Sequence, residues 1–295
     1  MEPFAISPQL TLGPVELHVA DLERSLAFYH GLLGLAVGER PGDHRAVVLA
    51  AGETPLLVLH ELPGARRKPP RTTGLYHLAL LLPTRRELAR TLARLAEARY
   101  PLTGASDHLV SEALYLDDPD GNGLELYADR PREQWTRVGH EVRMAVDPLD
   151  LDGLLGELDD TPWSGLAPGT VVGHVHLHVA DLAATRAFYG DVLGFALMQR
   201  FPGALFMAAG GYHHHLGLNT WAGVGAPPPP PDAAGLRRFT VQLPDSAALE
   251  AVARRVREAG PHPIALPEGL LLHDPSQNAL LLTAASGNGG VSTAN

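Results

Sequence analysis

The chain has 295 residues, 45% of them hydrophobic, so it can bury a substantial core, and its length favours two domains over one. A formal charge of -10 with no long basic face argues against a nucleic-acid partner and for a small neutral or anionic substrate. Cysteine is absent, which excludes disulfides and thiolate metal sites, so any metal must be held by His, Asp or Glu, and the 15 histidines make that feasible.

At the start, Met1 to Leu12 lacks the basic residues and apolar run of a signal peptide. No later stretch is long and apolar enough to span a bilayer, so the cytoplasm is the expected location and no membrane partner is expected. Gly13-Pro-Val-Glu-Leu-His-Val-Ala-Asp-Leu returns as Gly173-His-Val-His-Leu-His-Val-Ala-Asp-Leu, and Ala-Phe-Tyr follows in both copies. The chain is therefore duplicated. Each copy reads as an alternating strand (Val15, Leu17, Val19 in the first), an Asp N-cap at Asp21 or Asp181, and a short helix ending in Phe-Tyr; Leu-Gly then opens further strands.

A second kind of unit starts at Leu75-Tyr-His-Leu-Ala-Leu-Leu-Leu and again at Leu236-Arg-Arg-Phe-Thr-Val-Gln-Leu. Thr84-Arg-Arg-Glu87 reads as a capping box before a helix with Leu88, Leu92 and Leu95 on one face. Asp245 caps a helix carrying Leu249, Val252 and Val256 and stopped by Gly260. Strand, helix and several strands thus occur four times. The expected organisation is a first half at 1–129 (modules one and two), a linker at 130–170 with a short helix near Leu151 to Leu158, a second half at 171–285 (modules three and four), and a flexible tail at 286–295. Arg66 to Arg71 reads as a solvated connector and Pro227 to Pro231 as a stiff loop.

The most specific stretch runs from His108 through Tyr115 and Asp118-Pro-Asp-Gly-Asn-Gly to Glu125. The turn chemistry places Tyr115 and Glu125 on adjacent antiparallel strands. Glu125 lies between Leu124 and Leu126, where an ionised carboxylate is costly unless paired or bound to metal. His108, Leu114, Tyr115, Asp118, Pro119, Gly121 and Glu125 resemble, in order, the signature of the type I extradiol dioxygenases; Ser106 departs from it two places before the His. Over nearly the whole chain the modules resemble the vicinal oxygen chelate superfamily, in its catechol 2,3-dioxygenase branch. The resemblance implies an α+β fold of four βαβββ modules forming two paired-module half-barrel domains.

It also implies a metal held by a first-strand His from one module together with a first-strand His and a last-strand Glu from its partner. Module one offers Pro14, module two His77 and Glu125, module three His174, and module four Arg238 and Leu281. Only modules two and three together supply two His and one Glu, so they are expected to pair across the linker around Fe(II), with Mn(II) satisfied by the same donors. By the same resemblance His214, with His215 second, is the acid-base residue of a strand carrying His213 to His215, and His108 and Tyr115 hydrogen-bond substrate oxygens. The implied partners are a small aromatic diol and O2, in a homo-oligomer.

Taken singly, a strand His is more often a hydrogen-bonded core residue than a ligand, and Tyr115 is as readily an aromatic on a half-buried strand. His176 and His178 alternate with His174 and line the same side without binding metal. Two other functions use the same fold: a glyoxalase-like metal isomerase or thiol transferase, of which the isomerases usually supply two carboxylates, and a metal-free small-molecule-binding protein.

Overall fold

The computed structural model describes residues 4–40, 45–260 and 262–285, and the expected tail at 286–295 lies outside them. Module one contains β1 (Thr11–Val19), α1 (Leu22–Leu26), β2 (Ala36–Val37), β3 (Ala46–Ala51) and β4 (Thr54–Glu61). Module two contains β5 (Gly74–Leu81), α2 (Arg85–Glu97), β6 (Gly104–Asp107), β7 (Ser111–Asp117) and β8 (Gly123–Asp129). Between the halves lie β9 (Arg137–Val138), β10 (Glu141–Val142), β11 (Asp147–Pro148) and α3 (Leu151–Leu155). Module three contains β12 (Val171–His178), α4 (Leu182–Arg186), β13 (Ala196–Phe201), β14 (Ala204–Ala208) and β15 (Leu216–Asn219). Module four contains β16 (Gly235–Leu243), α5 (Ser246–Glu258), β17 (Ile264–Leu266), β18 (Gly269–His273) and β19 (Ala279–Ala284).

Local chemistry accounts for where the helices begin. Asp21 accepts from the Arg24 N–H at 2.9 Å, Asp181 from Ala184 at 2.6 Å and Asp245 from Ala248 at 2.8 Å, each satisfying a first-turn donor. Thr84 accepts from the Glu87 N–H at 3.2 Å, but the Glu87 carboxylate pairs with Arg90 at 2.5 Å. The capping box is therefore only half made, because a guanidinium three residues on is the stronger partner for that carboxylate. The Phe-Tyr pairs also sit differently from the helix ends read from sequence: α1 and α4 each widen into a π-helical stretch, Ala27–Leu32 and Ala187–Val192, that carries both aromatics inward.

Two sheets result. One has the order β17-β18-β19-β16-β1-β4-β3-β2 and unites modules four and one; the other has the order β11-β6-β7-β8-β5-β12-β15-β14-β13 and unites modules two and three. The four βαβββ modules thus pair into two curled sheets, the α+β architecture expected. Val15, Leu17 and Val19 of β1, Leu78 and Leu80 of β5, Val175 and Leu177 of β12, and Phe239 and Val241 of β16 all enter one continuous apolar core. Strand alternation then leaves the opposite face of each sheet for polar residues.

Two matching clasps tie consecutive modules. The Tyr29 hydroxyl donates to Asp118 Oδ2 at 3.0 Å, and Asp118 Oδ1 accepts from the backbone N–H groups of Asp120 and Asn122, both at 2.8 Å. Tyr189 donates to Asp274 at 3.1 Å, and Asp274 accepts from Ser276 at 2.7 Å and Asn278 at 2.9 Å. The Asp118 turn therefore has an architectural role: it anchors the π-helical stretch of one module to the last hairpin of the next.

The segment at 130–170 is packed. Trp135 and Val142 are buried in a small cluster with Tyr212, β11 extends the second sheet by pairing with β6, and α3 ends at Leu155, short of the expected Leu158.

Candidate metal centre and its cavity

Sheet register builds the site. Tyr115 on β7 lies opposite Glu125 on β8, Glu125 opposite Ala79 on β5, and Ala79 opposite His174 on β12; one step along, His77 faces His176. The small Ala79 between Glu125 and His174 keeps that face open. Two glycines permit the close approaches. A Cβ on Gly123 would lie 2.2 Å from the Tyr76 carbonyl oxygen, and one on Gly217 would lie 2.7 Å from the His176 ring.

His77, Glu125 and His174 each present a ligand atom within 4.8 Å of the other two, and all three are buried; among the described residues they form the one such cluster. His174 Nε2 is 3.0 Å from Glu125 Oε2 and hydrogen-bonded to it. His77 Nε2 is equally close, at 3.0 Å, but off the hydrogen-bonding direction, so this buried nitrogen has no hydrogen-bond partner among the described residues. An orphaned, fully buried imidazole nitrogen aimed beside a carboxylate is costly without a ligand. Two imidazoles and one carboxylate fit a divalent first-row metal that takes N and O donors. Burial opposes ionisation of Glu125, yet His174 and then His77 hold its carboxyl well below the ordinary range. Burial pushes His174 down to about 4 against the pull of Glu125, leaving a neutral imidazole, the form that binds metal.

These donors open onto a cavity of ≈ 390 Å³ that also receives Tyr115, His108, His214 and His176. His108 Nδ1 donates to the Ala145 carbonyl at 2.6 Å, so its Nε2 accepts from the Tyr115 hydroxyl, also at 2.6 Å. Burial, followed by the negative charge of Glu125, raises the Tyr115 phenol well above its usual value, keeping it protonated. The ring of His214 lies 4.1 Å from that of His174, centroid to centroid. Burial and then His174 depress its basicity.

The run from His213 to His215 is not on a strand as expected; it forms an irregular segment after the turn at Gly210 and Gly211, both at positive φ, and β15 begins only at Leu216. Backbone bonds to the flanking strands are made at His215, from its N–H to Met207 and to its carbonyl from Val175, while His213 Nδ1 is 2.8 Å from His214 Nδ1. The structure separates His215 from the other predicted site residues. Its Nδ1 accepts from the Ala209 N–H at 3.2 Å, and its ring packs on Tyr212, beside a different cavity. His176 reaches the site cavity, whereas His178 bonds to Asn219 at 2.7 Å.

Sequence reasoning missed the wall contributed by 130–170. Met144, Ala145 and Val146 line the cavity, and Gln199 holds the strip in place by accepting from the Met144 N–H at 2.6 Å and donating to the Met144 carbonyl at 3.1 Å. Trp221, Phe206 and Phe201 supply aromatic surface at the mouth.

Paired βαβββ sheets presenting a His, His, Glu face that could hold a metal define the class of protein. The comparisons agree on the class. Residues 11–126 and 171–268 match the Glyoxalase/Bleomycin resistance protein/Dioxygenase superfamily. The chain is 50% identical over 254 residues to a catechol-2,3-dioxygenase of Bacillus subtilis (strain 168), covering 84% of this chain and 88% of that one. In fold it is similar to a putative dioxygenase from Bacillus subtilis (TM-score 0.67, 12% identity, 96% of this chain and 86% of that one) and to glyoxalase I from Zea mays (TM-score 0.57, 17% identity, 94% and 92%). The chain belongs to the glyoxalase, bleomycin resistance and dioxygenase superfamily, and within it to the catechol 2,3-dioxygenase type.

Proposed function

We propose that this chain cleaves catechol or a substituted catechol with O2 in the extradiol manner, at Fe(II) held by His77, Glu125 and His174, giving a 2-hydroxymuconic semialdehyde-type product. Membership of the catechol 2,3-dioxygenase type makes it an enzyme, an extradiol dioxygenase. The observation that carries the site assignment is the convergence of His77, Glu125 and His174 on the same cavity as His214, Tyr115 and His108.

When bound, the iron supplies a cation that orients the diol and lets electrons pass between diol and O2, with coordination positions left free by a two-imidazole, one-carboxylate face. The remaining work falls to side chains. His214, neutral and beside His174, takes a diol proton: the O–H bond breaks, the proton goes to the imidazole, and the electron pair stays on the diol oxygen. Tyr115, its hydroxyl hydrogen held by His108, offers its phenol oxygen to the second diol group. Trp221 and Phe206 cover the aromatic ring and exclude water. The C–C bond beside the two hydroxyls breaks and both oxygen atoms enter the product, so no outside reductant is needed. Among the described residues there is a single such cluster, with a single carboxylate, which disfavours the isomerase reading.

The test is anaerobic loading with Fe(II) or, separately, Mn(II), followed by catechol in air while the visible spectrum is watched for the yellow ring-fission product. Its formation by the wild type and not by Glu125→Ala is expected. Bound metal without product from any of several catechols would move the assignment to an isomerase or transferase.

A further inference from the structure

His213 is completely buried yet does not reach the cavity, and the reaction described above gives it no task. Its surroundings are specific. Nε2 is 2.9 Å from Asp129 Oδ1, Nδ1 is 2.8 Å from His214 Nδ1, and the ring is packed against Tyr212 at 4.0 Å and Trp135 at 5.2 Å between centroids. A carboxylate only accepts, so His213 must carry its proton on Nε2. Two facing Nδ1 atoms 2.8 Å apart need one donor between them, and with the His213 proton on Nε2 that donor is the His214 Nδ1. That leaves His214 with its lone pair on Nε2, for which no hydrogen-bond partner is found among the described residues, on a ring that lines the cavity.

The geometry points to Asp129 and His213 as positioning residues that lock His214 in the Nδ1–H tautomer, so that its Nε2 is always the free base presented to substrate. An isolated neutral imidazole prefers the opposite tautomer, with hydrogen on Nε2, which could donate to the diol but not take its proton. The logic is that of a base oriented by a second group behind it. The inference rests on the proposed extradiol reaction for its catalytic consequence, but not for the tautomer itself.

The experiment uses the full-length, metal-free chain labelled with 15N-histidine, read at neutral pH by long-range 15N–1H correlation, with His214→Ala to assign the signals. The wild type should show His214 protonated at Nδ1. His213→Phe, a shape-preserving change among aromatics, should shift it toward the Nε2–H form and lower kcat of the iron-loaded enzyme on catechol by roughly 10²-fold with KM little changed. His213→Asn should restore both, because the Asn Oδ1 stands where the His Nδ1 stood and can accept the same hydrogen. A wild-type His214 in the Nε2–H form overturns the inference, and so does a His213→Phe enzyme with wild-type kcat. A wild type inert toward every catechol but carrying the Nδ1–H form removes the proposed reaction while supporting the tautomer lock.

Discussion

The two sheets are built to one plan and diverge at the row of residues that matters. In the sheet of modules two and three the row reads Tyr115, Glu125, Ala79, with His77 opposite His176. In the sheet of modules four and one the same row reads Leu271, Leu281, Thr240, with Arg238 opposite Glu16. The second sheet fills its polar face with its own charges. Glu16 accepts from Arg238 Nε at 2.5 Å, bonds to His60 at 2.8 Å and pairs with Arg237, while Arg238 also reaches Glu268 at 3.0 Å. Duplication therefore yields one face whose carboxylate is shared by two buried imidazoles, one with an unpartnered nitrogen, and one whose carboxylate is satisfied within the protein.

Removing a donor from the open face should break this comparison most strongly. Glu125→Ala is expected to lose bound metal and at least ~10²-fold of ring-cleaving activity, beyond what changes outside the ligand set usually cost. Metal content per chain and the yellow product check it. Leu281→Glu should not create a second site, because Arg238 and Pro14 stand where His77 and His174 do. Two metal ions per chain in that variant would show that the carboxylate alone decides.

Next in size is the acid-base residue. His214→Ala should lower kcat by about 10²–10⁴ while leaving metal content unchanged. A proportional loss of metal would make His214 part of the metal centre.

On the closed face the expected effect is on stability. Glu16→Gln leaves Arg237 without its carboxylate and Arg238 with Glu268 alone, and should cost about 3 kcal/mol in urea unfolding, the low end for breaking a buried pair because Arg237 stays partly solvated. Burial opposes ionisation of Glu16, but His60 and the two arginines lower its carboxyl from 4.5 to about 2. A depressed carboxylate contributes fully above its ordinary value and progressively less as pH falls toward the folded one. Stability from Glu16 should thus be present above pH 4.5 and lost toward pH 2 in the wild type, with that share of the acid limb missing in Glu16→Gln. Equal acid limbs in the two proteins would sink the assignment.

How much of this was legible in the chain follows the same division. The paired repeats at Gly13 and Gly173, and the presence of a His or Glu at some ligand positions and Pro14, Arg238 and Leu281 at others, pointed to the join between modules two and three, because ligand chemistry needs particular residue types at particular places. Asp21, Asp181 and Asp245 were readable as caps because a cap is local. What could not be read depended on distant parts of the chain meeting. The strip from Met144 to Val146 became a cavity wall through Gln199 and His108, and the three consecutive histidines looked like a strand until the Gly210-Gly211 turn and Asp129 drew His213 and His214 into a hydrogen-bonded chain. Asp118 carried two meanings at once, signature and clasp, and the second needed Tyr29.

That clasp allows the finest comparison, since the two halves share it almost atom for atom. Tyr29 and Asp118 meet at 3.0 Å, Tyr189 and Asp274 at 3.1 Å, and both tyrosines are buried. In each, a side-chain amide from Asn122 or Asn278 also bonds the same Oδ2, at 2.9 Å in both cases, so removing the phenol does not strand the carboxylate. Tyr29→Phe and Tyr189→Phe should therefore each cost about 1 kcal/mol, the net worth of one hydrogen bond, and should do so equally. Denaturant midpoints of the two variants test it. A much larger loss for Tyr29→Phe would mean that the hairpin carrying Glu125 depends on its clasp more than its counterpart does, linking the architecture of the first half directly to the metal face.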